Sequence, residues 1–181
     1  MKIRKAFQGT VPDNKILDTY STSQTDTYSC NYVNSMKLVK EVELTASSGN
    51  INIDGLDLAS DGGLYEIYFQ GKNCSNASGI FMKINGTDSN SSVYQEYNSS
   101  AVNVSSRVNR IGRTNAGSSL ILINISLTND ILVNTRGTDS VYGFIGNLFF
   151  NQSNVTSLQF YPEFGTFGAG TKIRIYKKWF W

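Results

Sequence analysis

From about residue 40 onward, hydrophobic and polar residues alternate in short windows, which is the period of a β-strand rather than of a helix. In the window SSLILINISL, for example, Ile123 and Ile125 flank Asn124. Gly, Asn and Ser separate the windows, and Asn85-Gly86 is a strong hairpin-turn signal. Roughly eight to ten such windows with no helical window between them predict an all-β domain, an antiparallel β-sandwich with jelly-roll topology.

Before this region, large side chains recur with the spacing of a helix rather than of a strand. Asp26 is a good helix N-cap, because its carboxylate can accept the free N–H groups of a first helical turn. Three large side chains then recur at every fourth residue and share one helical face: Tyr28, Tyr32 and Met36. We therefore predict a short helix in an N-terminal attachment segment, residues 1–37, ahead of a sandwich domain at residues 38–181. Because so short a helix is marginal alone, its Tyr/Met face must dock either on its own sandwich or on a neighbouring subunit.

Composition narrows the range of functions. Of the 181 residues, 40% are hydrophobic and 17% are charged, with a net charge of +2 and no basic run, so we expect no nucleic-acid partner. No apolar stretch approaches transmembrane length, and we expect no membrane partner. The absence of His removes Ser-His-Asp and Cys-His catalytic groups and imidazole metal sites. Cys30 and Cys74 are expected to be free thiols. The protein is therefore expected to be non-enzymatic and to bind no cofactor.

Carboxylates supply the remaining candidate chemistry. Asp54, Asp57 and Asp61 lie among glycines, but the residue order of a calcium loop and its downstream Glu are missing, so we interpret this stretch as a turn. A glycosidase needs an acid and a base about 5–10 Å apart across a cleft. Four carboxylates are candidates for such a pair: Asp61, Glu66, Asp88 and Glu96. Since nothing in the sequence brings two of them together, a small carbohydrate-degrading enzyme is only the second alternative.

Tyrosines and arginines in the middle of the β region are candidates for glycan binding. Tyr rings stack on sugar rings, and Arg donates hydrogen bonds to hydroxyls. The candidate residues are Tyr94, Tyr97, Arg110 and Arg113. We expect them in loops at one end of the sandwich. The alternative for any one of them is an ordinary surface or core position.

Three stretches of the chain resemble structural proteins of tailed bacteriophages that infect Gram-positive hosts. They are ILDTYSTSQTDTYSCNYVNSM near the start, GLDLASDGGLYEIYFQG in the middle, and SNVTSLQFYPEFGTFGAGTKIRIYKK near the end. The resemblance implies a non-enzymatic virion protein, assembled in the bacterial cytoplasm, with a jelly roll that contributes to a tail, baseplate or fibre. Its implied partners are other virion proteins and host cell-surface carbohydrate. A capsid head-fibre or decoration protein, which stabilises or decorates the shell, is the first alternative.

The chain ends in KKWFW, directly after the last predicted strand. Trp179, Phe180 and Trp181 leave the sandwich at one end, where no later residue can cover them. Three large aromatic side chains exposed together favour association. We expect them to contact another copy of the chain, and the phage resemblance makes a homotrimer the expected count. The alternative is that the tail folds back over an edge of its own sandwich.

Overall fold

A computed structural model describes residues 36–76, 78–97, 102–105, 109–114, 118–139 and 142–178. These residues form twelve strands and no helix. The strands are β1 (Met36–Glu43), β2 (Ile51–Asp54), β3 (Leu64–Lys72), β4 (Ser78–Ile84), β5 (Ser91–Tyr97), β6 (Val102–Ser105), β7 (Arg110–Thr114), β8 (Ser118–Leu127), β9 (Ile131–Asp139), β10 (Gly143–Phe150), β11 (Ser157–Pro162) and β12 (Lys172–Lys178).

The strands form two sheets with jelly-roll topology, as the sequence predicted. The larger sheet has the order β1-β12-β3-β8-β9-β10-β5-β6, and the smaller sheet has the order β2-β11-β4-β7. The first four strands pair with later strands in reverse order, β1 with β12, β2 with β11, β3 with β8, and β4 with β7. This is one long antiparallel ribbon rolled into two facing sheets, which is the arrangement that defines a jelly roll.

Two inserted strand pairs widen the larger sheet. The pair β5–β6 lies between β4 and β7 in the chain, and the pair β9–β10 lies between β8 and β11. Both pairs join the larger sheet beyond β8 and double its width to eight strands. On the smaller sheet, β7 packs against β9, β10 and β5, so this single edge strand covers the inner side of the extension.

The core lies between the two sheets and follows the period of two. On β8, Ile121, Ile123 and Ile125 point inward and are fully buried, whereas the side chains between them face outward. The Phe69 ring of the larger sheet contacts the Phe160 ring of the smaller sheet, with 5.6 Å between the ring centroids. Burial of such side chains contributes roughly 1.5 to 3 kcal/mol each.

The Asn85-Gly86 turn is present, but it does not connect two paired strands. Both residues have positive φ, 51° and 76°, as a tight Asn-Gly turn requires. After a single bridge between Ile84 and Thr87, the chain leaves the smaller sheet and enters β5 of the larger one. The turn therefore reverses the chain for a crossover between the sheets rather than for a hairpin.

Two sequence-based expectations need correction. The four candidate glycan-binding residues, which we placed in loops, lie on strands: Tyr94 and Tyr97 on β5, and Arg110 and Arg113 on β7. The motif RIGRT was missed because it is short and lacks apolar alternation. Met36, which we placed at the end of a helix, is the first residue of β1. The rest of the predicted helical face, Tyr28 and Tyr32, lies outside the described residues, as do Trp179, Phe180 and Trp181 of the tail.

Substitution of Gly137 tests the close packing of the extension. Gly137 of β9 is paired with Phe144 of β10, and a Cβ atom added at Gly137 would lie 2.7 Å from the Phe144 ring and closer still to the Leu120 carbonyl oxygen. We expect Gly137→Ala to lower the free energy of unfolding by about 1–3 kcal/mol in urea denaturation, because the backbone must shift. Gly49→Ala is the control, since a Cβ there meets no atom within 4 Å. Equal unfolding midpoints for the two variants would contradict this packing.

Candidate functional site

Three of the four predicted glycan-binding residues meet between the sheets, around a carboxylate. Tyr94 and Glu96 point inward from β5, and Arg110 and Arg113 approach them from β7. Arg110 and Glu96 are only 8% and 9% exposed. The structure thus brings these residues together, but in the interior of the sandwich rather than in exposed loops.

The cluster places one carboxylate between two arginines. Arg110 Nη2 donates a short hydrogen bond to Glu96 Oε1, and Arg113 Nη1 lies 3.4 Å from Glu96 Oε2. The Arg110 guanidinium stacks on the Tyr94 ring at 4.4 Å from the ring centroid, and the Arg113 guanidinium stacks on the Tyr142 ring at 4.5 Å. Each arginine therefore has an ionic partner and an aromatic partner.

Charge within the cluster is balanced. Arg113 Nε lies 3.8 Å from Asp139 Oδ2, so two cations face two anions. Burial raises the pKa of Tyr94, although the neighbouring Arg110 opposes this effect, and the phenol stays neutral at ordinary pH. Because two cations face two anions, the cluster is suited to join edge strand β7 to the extension of the larger sheet.

Tyr97 lies on the opposite side of β5 from the cluster. Its side chain is 42% exposed on the outer face of the larger sheet, where it pairs with Gly143 of β10. A Cβ atom added at Gly143 would lie 2.3 Å from the Tyr97 ring, so the ring lies close to the Gly143 backbone. The predicted glycan-binding set is thus divided, with Tyr94 and Arg110 buried, Arg113 half-buried and Tyr97 on an outer surface.

The carboxylates proposed as a glycosidase pair each contact a different basic residue. Asp61 accepts a hydrogen bond from Lys177 at 2.7 Å, Glu66 accepts one from Lys178, Asp88 lies 3.3 Å from Lys83, and Glu96 contacts Arg110. Among the described residues, no group of three or more Asp, Glu, His and Cys side chains could hold a metal ion.

The Asp-rich stretch after β2 is an ordered turn. Asp57 Oδ1 accepts hydrogen bonds from the Ser60 amide at 3.1 Å and from Asn154 Nδ2 at 3.0 Å. Hydrogen bonding from the Ser60 side chain, followed by the bonds from the Ser60 amide and from Asn154, lowers the pKa of Asp57. Asp61 accepts hydrogen bonds from the Tyr65 hydroxyl at 2.6 Å and from Lys177. Both carboxylates are therefore engaged in fixing the turn.

A second candidate surface was not found from the sequence. We call it the Asn face: the outward side chains of β8, β9, β10 and β5. Its members are Leu120, Leu122, Asn124, Ser126, Leu132, Asn134, Arg136, Thr138, Ile145, Asn147, Phe149, Val93, Gln95 and Tyr97. Among these described positions only Arg136 is charged. Leu120 is 56% exposed, and five further large hydrophobic residues of the face are exposed as well.

Three asparagines form a row across the middle of the Asn face. Asn134 of β9 is paired with Asn124 of β8 on one side and with Asn147 of β10 on the other. On one side of this row lies the cross-strand pair Leu132–Phe149. On its other side lies a row formed by Ile145, Arg136 and Leu122. The face is therefore an amide row between two rows that mix apolar and polar side chains, since Ser126 pairs with Leu132 and Gln95 pairs with Ile145.

The other half of the same sheet surface is charged. On β12 and β1, Arg174 Nε donates to Glu41 at 2.6 Å, and Lys172 Nζ lies 2.7 Å from Glu43. The hydrogen bond from Arg174 lowers the pKa of Glu41. This half carries the ion pairs of an ordinary solvated surface, whereas the Asn face lacks them. The described residues include no helix long and apolar enough to cross a membrane.

Removal of the central carboxylate tests the buried cluster. Glu96→Gln keeps the side-chain shape but removes the charge that both arginines contact. We expect the free energy of unfolding in urea to fall by about 3–5 kcal/mol, because buried arginine charge loses its partner. The control is Glu43→Gln, which breaks an exposed pair with Lys172 and should cost about 0–1 kcal/mol. A Glu96→Gln variant as stable as this control would contradict the role given to the cluster.

The Asp61 contacts predict a pH dependence of stability. Burial raises the pKa of Asp61, but the hydrogen bonds from Lys177 and Tyr65 outweigh it and the net pKa is lowered. The folded state therefore binds the proton less readily than the unfolded chain, so this contribution is full above the ordinary Asp pKa of about 3.9 and is lost as the pH falls below it. We expect Asp61→Asn to destabilise the protein at neutral pH and to approach wild type as the solution is acidified. A difference that does not change with pH would rule this out.

No protein family, curated protein or solved structure matches this chain. Its functional assignment therefore depends on its own topology and contacts. The feature on which that assignment depends most is the Asn face on the outer side of the larger sheet.

Proposed function

We propose that this chain is a non-enzymatic structural protein of a bacteriophage particle, a part of the tail, baseplate or fibre, in which the jelly roll is held in a protein assembly. The observation that carries the proposal is the Asn face. An outer sheet surface with one charge and six exposed large hydrophobic side chains is unusual for a protein that functions alone in water. Such surfaces are typical of proteins that bury them against a partner.

The sequence resemblance supports the assignment to a virion. In this proposal the segment at residues 1–37 attaches the sandwich to other virion proteins, and copies of the chain associate as a homotrimer through the aromatic tail. A jelly roll also suits the alternative role of a capsid head fibre or decoration protein, since one fold serves many functions.

The pairing of the carboxylates supports a non-enzymatic role. General acid catalysis by a carboxyl group at neutral pH needs a raised pKa. The pKa of Asp61 is instead lowered, and Glu66, Asp88 and Glu96 each contact a basic side chain. The alternative of a carbohydrate-degrading enzyme therefore has no pair of carboxylates to support it in the part of the chain that the structure describes.

Glycan binding is a second candidate function, favoured by one corner of the larger sheet. There the exposed Tyr97 pairs with Gly143 of β10. The preceding residue is Tyr142, and the half-buried Arg113 guanidinium stacks on the Tyr142 ring. In this proposal the Tyr97 ring stacks on a sugar of the host cell surface, and Arg113, on the other side of β5, supports this corner of the sheet. Tyr94 and Arg110 are buried and would support this corner rather than touch the sugar.

Immunolabelling of intact particles tests the proposed function. Antibodies against the purified protein are applied to particles released by a bacterium that expresses this chain, and bound label is located by negative-stain electron microscopy. We expect label at the tail tip, and antibody pre-absorbed with the purified protein is the control. Label spread over the head would favour the decoration alternative. Unlabelled particles from a lysate that contains the protein would contradict the virion role.

A further inference from the structure

We propose that the Asn face is a contact between copies of this chain, and that it packs on the same face of a second copy across a twofold axis along the asparagine row. The inference rests on the proposed assembly role and names the partner of this surface. In this arrangement Asn134 faces Asn134 of the second copy. The contact is distinct from the one expected of the aromatic tail.

Asparagine chemistry favours a second copy as the occupant. An amide side chain offers two N–H donors and a carbonyl acceptor, so a row of amides is complementary to another row of amides. The Asn124, Asn134 and Asn147 side chains would be costly to bury against a purely apolar partner, because their hydrogen-bonding groups would remain unsatisfied. A nucleic acid or an anionic lipid surface would require basic residues, and this face has only Arg136.

The twofold axis also determines which flanking rows meet. Rotation about the asparagine row sets the Leu132–Phe149 row of one copy against the row of Ile145, Arg136 and Leu122 of the other. Arg136 lies two residues along β9 from the axis, so the two copies of Arg136 lie about 14 Å apart along the strand direction and do not face each other.

The size of the face sets the expected strength of the contact. Four strands about 4.8 Å apart, each about eight residues long at 3.4 Å per residue, give a projected area on the order of 500 Å². A standard interface buries about 800 Å² of accessible surface on each partner. The face alone is smaller than a standard interface, so it supports a reversible dimer that dissociates on dilution.

Introducing a charge at Asn134 tests the proposed axis directly. The mass of the full chain is measured by light scattering at concentrations on the order of 100 μM. Wild type should have at least twice the mass of either Asn134 variant, whatever oligomer the aromatic tail forms, and should lose that excess on dilution. Asn134→Asp alone and Asn134→Lys alone should each lack the Asn-face contact, because like charges would face each other across the axis. An equimolar mixture of the two variants should recover the wild-type mass, because opposite charges then meet. Recovery in the mixture also demonstrates that both variants are folded.

The matched control uses the outer side of the smaller sheet. Asn52→Asp and Asn52→Lys change an exposed residue of β2 in the same way, and each should associate like wild type. A monomeric wild type would overturn the inference. So would an oligomer whose mass is insensitive to charge at Asn134, or a mixture that gains no mass over the single variants. None of these results bears on the virion role, which particle labelling tests separately.

Discussion

The unequal width of the two sheets is the constraint on which the rest of this structure depends. Eight strands cannot be covered by four, so part of the larger sheet must be covered in some other way or be left exposed. On the inner side, β7 is the strand of the smaller sheet that packs against β5, β9 and β10. The ion pairs of Arg110 and Arg113 with Glu96 fix that strand where the apolar core becomes thin.

This cluster illustrates how a polar group can be buried without being available for chemistry. Glu96 is enclosed by two guanidinium groups, and each guanidinium has a tyrosine ring on one face. Replacing the whole cluster with apolar side chains could leave stability unchanged, whereas removing one member leaves buried charge. The cluster therefore contributes more to specifying that β7 packs against β5 than to net stability. Buried polar networks can specify a unique arrangement in this way.

The sequence predicts much of the fold and little of the site, for a reason that strand β5 makes clear. Alternation identifies VYQEY as a strand, but it does not reveal which side faces the core, because Val93 and Tyr97 lie opposite Tyr94 and Glu96. A buried Glu is explained only by the arginines 14 and 17 residues later, on a strand that was not predicted. The Asn face was not predicted for a related reason. The residues from Leu120 to Ile123 are all apolar, so the sequence does not show which side of β8 faces outward.

The position of β12 has a consequence for how this chain folds. β12 lies between β1 and β3, and Ile173 pairs with Phe69, more than a hundred residues earlier in the chain. Contacts between such distant residues require closure of long loops, so folding is expected to be slow compared with that of helical proteins of this size. During synthesis β3 can form its pairing with β8, but its other edge stays open until β12 has left the ribosome. The nascent chain therefore exposes a strand edge for most of its synthesis, and this edge is where chaperone binding or premature association between chains would begin.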